Sequence, residues 1–85
     1  MYNYERMRML LSQCEAACRD GWLTRNMLDD TVREAMSLPE PLASDLRNLL
    51  GSMRPGVTPV ATLCSRLRQA QTVLNTAAIA DKQFR

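Results

Sequence analysis

The sequence predicts an all-α protein, a small bundle of about four helices that forms a single domain over residues 1–85. Twelve Leu and nine Ala against four Val and one Ile favour helix over sheet, because β-branched and aromatic residues are the usual strand formers. Apolar residues make up 46% of the chain but aromatic residues only 5%, so the core has to consist of Leu, Met, Ala and Val. These apolar residues recur with the helical period in four stretches of unequal length.

The longest stretch is the C-terminal one, from Pro59 to about Ala80. Its apolar residues fall in one arc roughly 140° wide on a helix, which is typical of a helix packed into a globular core. Thr58 is expected to cap this helix, and Pro59 suits its first position. Gln71 is a polar residue inside the arc. The apolar members of the arc are Val60, Leu63, Cys64, Leu67, Ala70, Leu74, Ala77 and Ala78.

Three shorter helices are predicted before it, at Asn3–Arg19, at Arg25–Met36, and from Pro41 to Leu50 or Met53. Gly21 is the stop signal of the first helix, Thr24 is the expected cap of the second, and residues 54–56 read as a type II turn. The predicted core faces are Tyr4, Met7, Leu10, Leu11, Cys14, Ala17 and Cys18 on the first helix, Leu28, Val32, Ala35 and Met36 on the second, and Leu42, Leu46, Leu49, Leu50 and Met53 on the third.

Residues with catalytic chemistry are scarce. The chain contains no His, which removes the commonest general base, the Ser-His and Cys-His nucleophile pairs and the usual mixed zinc sites. No glycine-rich phosphate loop is present, and adjacent carboxylates such as Asp29 and Asp30 point about 100° apart on a helix. The sequence therefore predicts a protein that is not an enzyme, with no catalytic residue, metal or cofactor.

Three cysteines allow two interpretations. Cys14 and Cys18 lie four residues apart on one helix face, so a metal or redox pair completed by Cys64 is conceivable on spacing alone. All three also fall in the middle of apolar stripes, where small buried cysteines behave as hydrophobic residues. Core packing is the favoured interpretation. An odd number of cysteines argues against a disulfide framework and for a reducing cytoplasm, and no apolar run is long enough for a membrane span or a signal peptide.

Three large apolar residues fall outside the predicted core faces of the helices. Trp22, the only Trp, is expected to close one end of the core, with an exposed anchor for a binding partner as the alternative. Met9 and Met27 fall off the core faces of their helices, and methionine-rich surface can be an adaptable binding face.

The charge distribution suggests where a partner could bind. Residues 1–53 carry six basic and eight acidic groups, whereas residues 54–85 carry five basic groups and one acidic group. Arg66 and Arg68 lie about 160° apart around the last helix, one on each side of its apolar arc. They are expected to form the rim of a protein interface, with Gln71 between them.

These observations predict a non-enzymatic, cytoplasmic regulator or adaptor that binds another protein and self-associates, at least as a dimer. Small helical bundles of this kind serve as regulators, secretion chaperones and phage or plasmid accessory proteins, which is an analogy at the level of fold. The alternative is a small DNA-binding transcriptional regulator in which the second and third helices form a helix-turn-helix. The third helix would then read DNA with Arg47 and Asn48, but one Arg beside Asp45 is a poor basis for phosphate contacts.

Overall fold

Four α-helices joined by short turns make up the described part of the chain. The computed structural model describes residues 3–83 and places the helices at α1 (Tyr4–Asp20), α2 (Arg25–Ala35), α3 (Leu42–Gly51) and α4 (Val60–Gln83). No strand occurs in this part of the chain, so the predicted all-α bundle with a long C-terminal helix is confirmed. Among the same residues, no helix combines the length and the apolar character that crossing a membrane requires.

The first two helices begin and end at residues whose local chemistry explains the boundary. Asn3 caps α1, because its Oδ1 accepts a hydrogen bond from the Arg6 N–H at 3.0 Å. Gly21 ends α1 in the left-handed conformation with φ 83°, where a side chain would be strained. The Thr24 hydroxyl caps α2 by accepting from the Met27 N–H at 3.2 Å.

The start of α4 differs from the prediction. Pro59 is not the first helical residue: its carbonyl accepts from the Leu63 N–H at 3.0 Å, and the helix begins at Val60. The Thr58 hydroxyl instead accepts from the Arg54 N–H, which closes the α3–α4 loop. That loop contains the predicted type II turn, with Gly56 at φ 86° and the Val57 N–H bonded to the Arg54 carbonyl.

The start of α3 also shifts by one residue. Pro41 lies before the helix, which begins at Leu42, and the Glu40–Pro41 peptide bond is cis. The Pro41 carbonyl accepts from the Asp45 N–H at 3.0 Å, so Pro41 stands at the cap position. Helix α3 ends at Gly51, and Met53 is buried just beyond it.

The core lies between α4 and the two helices that flank it. Helix α1 packs against α2 and α4, and α3 packs against α2 and α4, so the four helices form a closed ring in chain order. Leu67, Ala70 and Leu74 of α4 are fully buried, as are Met7 and Leu11 of α1. The stripe of α4 is therefore covered within one chain, by α1 on one side and α3 on the other.

Two predicted core residues, Val60 and Met36, lie outside the core. Val60 is 56% exposed because it stands in the first turn of α4, at the end of the bundle, and Met36 is 55% exposed because α2 ends one residue before it. Val32 is half-buried and packs against the core, as predicted. The side chain that completes the α2 face is Thr31, which is fully buried and donates its hydroxyl to the Met27 carbonyl at 2.8 Å.

Because α4 is the helix that both flanking helices cover, truncating it at its centre is expected to be costly. We expect Leu67→Ala to lower the free energy of unfolding by about 3 kcal/mol, since Leu67 is fully buried and a cavity would remain. Val60→Ala, on the exposed first turn of the same helix, is the matched control and should change it by less than about 0.5 kcal/mol. Urea titration measures both, and equal losses would contradict the packing described.

Candidate interaction surface at one end of the bundle

The six residues predicted to bind a partner do not form one site. Met9 is 54% exposed on the outer side of α1, as predicted. Met27 is only half-buried and packs against the core, and its carbonyl accepts the Thr31 hydroxyl, so its predicted exposure is wrong. Trp22 is 57% exposed, which contradicts its expected place in the core and agrees with the alternative of an exposed anchor.

Arg66 and Arg68 do flank the apolar stripe of α4 from opposite sides. Arg66 donates to the Ser52 hydroxyl just past α3 at 2.7 Å, and Arg68 donates from Nε to Glu15 Oε1 of α1 at 3.1 Å. Gln71 lies on the α1 side, where its amide donates to Glu15 Oε2 at 3.0 Å. The apolar strip between the two arginines is the core of the bundle. It is therefore buried in this structure, while a partner contact at Arg66, Arg68 and Gln71 themselves stays a prediction.

The predicted dimer cannot use the same strip. Helices α1 and α3 of the same chain cover it. A buried polar residue such as Gln71 can fix the register between two packed chains, but its amide donates to Glu15 of its own chain. Self-association stays a prediction, and any such contact has to use another surface.

Three large apolar side chains are exposed in segments that meet at one end of the bundle. Trp22 follows α1, Val57 lies in the α3–α4 loop and Val60 begins α4; they are 57%, 79% and 56% exposed. We call these three residues the apolar end patch. Exposing three such side chains to water gives up the free energy that their burial would contribute. Large exposed apolar surface often marks an interaction site.

Two glycine turns position the end patch. After Gly21 reverses the chain, the Trp22 N–H bonds the Ala17 carbonyl at 2.9 Å, which holds the Trp22 backbone against the last turn of α1. Gly56 similarly sets Val57 in its turn. A cavity of about 70 Å³ lies between the two turns, lined by Cys18, Gly21, Leu23, Pro55, Gly56, Val60 and Leu63. The two loops therefore meet at the same end of the bundle.

Three arginines lie in the chain segments that carry the end patch, and we call them the arginine rim. Arg19 lies in the last turn of α1, Arg25 begins α2, and Arg54 opens the turn that carries Val57. All three are exposed, and no side-chain hydrogen bond or ion pair engages them among residues 3–83. Asp20 is the one acidic residue in segments 19–25 and 54–60, so these segments carry three positive charges against one negative. Apolar side chains with an arginine rim are the usual composition of a protein-binding surface.

A second apolar surface lies between α3 and α4. It is an open groove of about 360 Å³, lined by Pro41, Leu42, Asp45, Thr72, Val73, Thr76, Ala77 and Ala80. Leu42 is buried and its other apolar side chains are small or half-buried, and Asp45 is the charged residue in its lining. It lacks the exposed aromatic side chain and the cations of the end patch, so it is the weaker candidate.

The three cysteines are free, buried thiols that separate into two environments. The Cys14 sulfur faces α2, 3.3 Å from the Thr31 hydroxyl, whereas Cys18 faces α4, where its sulfur lies 3.3 Å from that of Cys64. Burial, followed by the Cys64 hydrogen bond and the charges of Cys64, Glu15 and Cys14, raises the pKa of Cys18 to about 11. Burial also raises the pKa of the Cys14 thiol, against a lowering contribution from Thr31. Such thiols are weak nucleophiles at neutral pH.

Sequence reasoning missed Val57, Val60 and the three rim arginines as a group. No group of three His, Cys, Asp or Glu side chains among residues 3–83 is placed to hold a metal ion. The two turns that form the end patch are 35 residues apart at their glycines, Gly21 and Gly56. One signal for this arrangement was available in the sequence. The first turn follows α1 and the second precedes α4, and antiparallel packing of these two helices brings those ends together.

The Glu15 contact distinguishes the two arginines of α4. We expect Arg68→Glu to lower the free energy of unfolding by about 1 kcal/mol, because it loses an ion pair and places a carboxylate beside half-buried Glu15. Arg66→Glu, which faces the neutral Ser52 hydroxyl, is the matched control and should cost less. Combining Arg68→Glu with Glu15→Gln should recover most of the loss. Chemical denaturation of the four proteins measures this, and an equal cost for both reversals would contradict it.

The raised pKa of Cys18 predicts a stability that falls at high pH. In the unfolded chain this thiol ionises near its usual pKa of about 8.5, but in the folded protein only near 11. Above about pH 8.5 the unfolded state therefore binds fewer protons than the folded state, and stability drops as pH rises. The difference in unfolding free energy between wild type and Cys18→Ala should be constant from pH 6 to about 8 and then shrink toward pH 10.5. Urea titrations across this range test it; a constant difference would refute it.

Comparison of the chain with protein-family models, curated proteins and solved structures finds no match. The function of this chain is therefore inferred from its own residues.

Proposed function

We propose that this protein is a non-enzymatic regulator or adaptor that binds another protein through the apolar end patch. The observation that carries the proposal is Trp22, whose side chain is 57% exposed at the same end of the bundle as Val57 and Val60, while Leu and Met side chains fill the core. Tryptophan supplies more binding energy per residue than most side chains, because a partner can remove a large apolar surface from water at little entropic cost.

The arginine rim defines the chemistry of the partner. Among residues 3–83, Arg19, Arg25 and Arg54 have no side-chain partner to give up on binding, so a carboxylate on the partner can pair with them without breaking a contact within that range. Arginine pairs with carboxylates through two parallel hydrogen bonds. A partner segment with apolar side chains flanked by Asp or Glu fits this surface.

The same charges favour a different protein over a second copy of this chain. A symmetric contact through the end patch would bring each rim arginine close to those of the other copy, and like charges across an interface are unfavourable. The proposed occupant is therefore an acidic, apolar segment of another protein. Three free thiols suit a reducing compartment, which supports the cytoplasm as the proposed location.

DNA binding by a helix-turn-helix has less support. The exposed side chains of α3 include Asp45, Arg47 and Asn48, and the Arg47 guanidinium lies 3.8 Å from the Met36 sulfur. A recognition helix with one cation beside one carboxylate gives little attraction for phosphates. The exposed arginines at the end of the bundle could contact phosphates, so nucleic acid is an outcome that the test must distinguish.

The proposal can be tested with a peptide display library panned on the wild-type protein. Peptides that bind should combine apolar residues with Asp or Glu, and Trp22→Ala should weaken their binding at least about 30-fold, as expected for an anchor residue. Ile79→Ala, which removes a side chain of equal exposure at the other end of α4, is the matched control and should leave binding unchanged. Since Trp22 is the only Trp, its fluorescence reports the contact directly, with a blue shift on binding.

Charge reversal tests the contribution of the rim arginines to binding separately from that of the apolar end patch. Arg19→Glu with Arg54→Glu should slow association and reduce its salt dependence more than it changes dissociation. Selection of peptides rich in Lys and Arg would contradict the proposal. So would a dimer of the free protein, seen by light scattering, that Trp22→Ala dissociates. Tight binding of a DNA duplex that this double reversal abolishes and salt weakens steeply would favour the DNA-binding alternative.

A further inference from the structure

Cys18 of α1 and Cys64 of α4 form a close pair of thiols that the proposed partner binding does not use. Their sulfur atoms are 3.3 Å apart, and the side chains are 2% and 8% exposed. Cys14, one turn before Cys18, is not part of the pair, because its sulfur contacts Thr31 of α2. Helix α1 therefore directs its two thiols to two different neighbours.

We propose that Cys18 and Cys64 are a modification site, at which hydrogen peroxide oxidises the two thiols to a disulfide that links α1 to α4. A disulfide places the sulfur atoms about 2.05 Å apart, so the pair has to close by about 1.2 Å. Rotation of two side chains can supply much of such a distance. The inference is independent of the proposed partner binding.

The cavity between the two glycine turns gives a small oxidant a place to react. It has a volume of about 70 Å³, opens at the end of the bundle, and includes Cys18 in its lining. The Cys18 sulfur attacks one peroxide oxygen, the O–O bond breaks, and a sulfenic acid and one water form. The Cys64 sulfur then attacks the sulfenic sulfur, the S–S bond forms, and a second water leaves. Two thiols and one peroxide thus give one disulfide and two waters.

The surroundings of Cys18 make this reaction slow at neutral pH. The titratable groups that act on it are Glu15 and Cys14 on α1 and Cys64 on α4, and the residues that line the cavity from the two turns carry no charge. Burial and these neighbours raise the pKa of Cys18 to about 11, and the thiolate is the reactive form. The rate should therefore increase with pH up to about that value.

Peptide mapping after peroxide treatment of the folded protein tests the inference. After oxidation at pH 8 to 10, free thiols are alkylated in denaturant and the chain is cleaved at Glu15, which separates Cys14 from Cys18. The expected product joins the Cys18 peptide to the Cys64 peptide and carries alkylated Cys14. Because the disulfide closes a long loop, the thermal midpoint should increase by about 10 °C or more, and dithiothreitol should reverse the increase.

Variants make the outcome decisive. Cys14→Ala should form the link as wild type does, whereas Cys64→Ala should form none and should show no increase in thermal midpoint. A Cys14–Cys18 link, a disulfide between two chains as the main product, sulfinic acid without a cross-link, or no oxidation by pH 10 would each overturn the proposal. Circular dichroism checks that each variant folds. If a variant does not fold, peptide mapping of the wild type decides whether Cys18 and Cys64 form the disulfide.

Discussion

The burial of one face of α4 between α1 and α3 is the interaction on which the rest of the structure depends. Leu67 and Leu74 are removed from water completely, and each such side chain contributes roughly 1.5–3 kcal/mol. Ala70 of α4 and Ala17 of α1 are also fully buried, and their small side chains suit a close approach of helices. Because α4 is long, it holds both flanking helices at once. Their ends, and the turns that follow them, are positioned by that packing.

This packing also determines which surface is left for the proposed partner. Polar side chains at the edges of the buried face serve to hold neighbouring segments together: Glu15 accepts from both Arg68 and Gln71, and Arg66 reaches Ser52. The apolar face of α4 and the arginines beside it are thus engaged in contacts with other segments of the same chain. Surface suited to recognition is found where two turns leave the bundle, and Trp22 is its largest side chain.

Much of the fold could be predicted because its signals are local. Helical periodicity, the Gly21 stop, the Thr24 cap and the type II turn before Val57 depend on residues a few positions apart, and each is confirmed. The candidate site depends on which elements become neighbours, which periodicity does not encode. The exposure of Trp22 and Val60 is one example. The divergence of Cys14 and Cys18, about 40° apart around one helix, is another, since α2 lies beside the first and α4 beside the second.

The closed ring of helices has a consequence for anything joined to this chain. Arg8 donates from Nε to Asn75 Oδ1 at 3.0 Å, so the start of α1 lies beside the later turns of α4. The end patch lies at the opposite end of α1, about 25 Å away for a helix of 17 residues. A tag, a label or another domain attached near either end of the described chain would therefore project from the far pole of the molecule. Surface immobilisation through those ends would leave Trp22 facing solution.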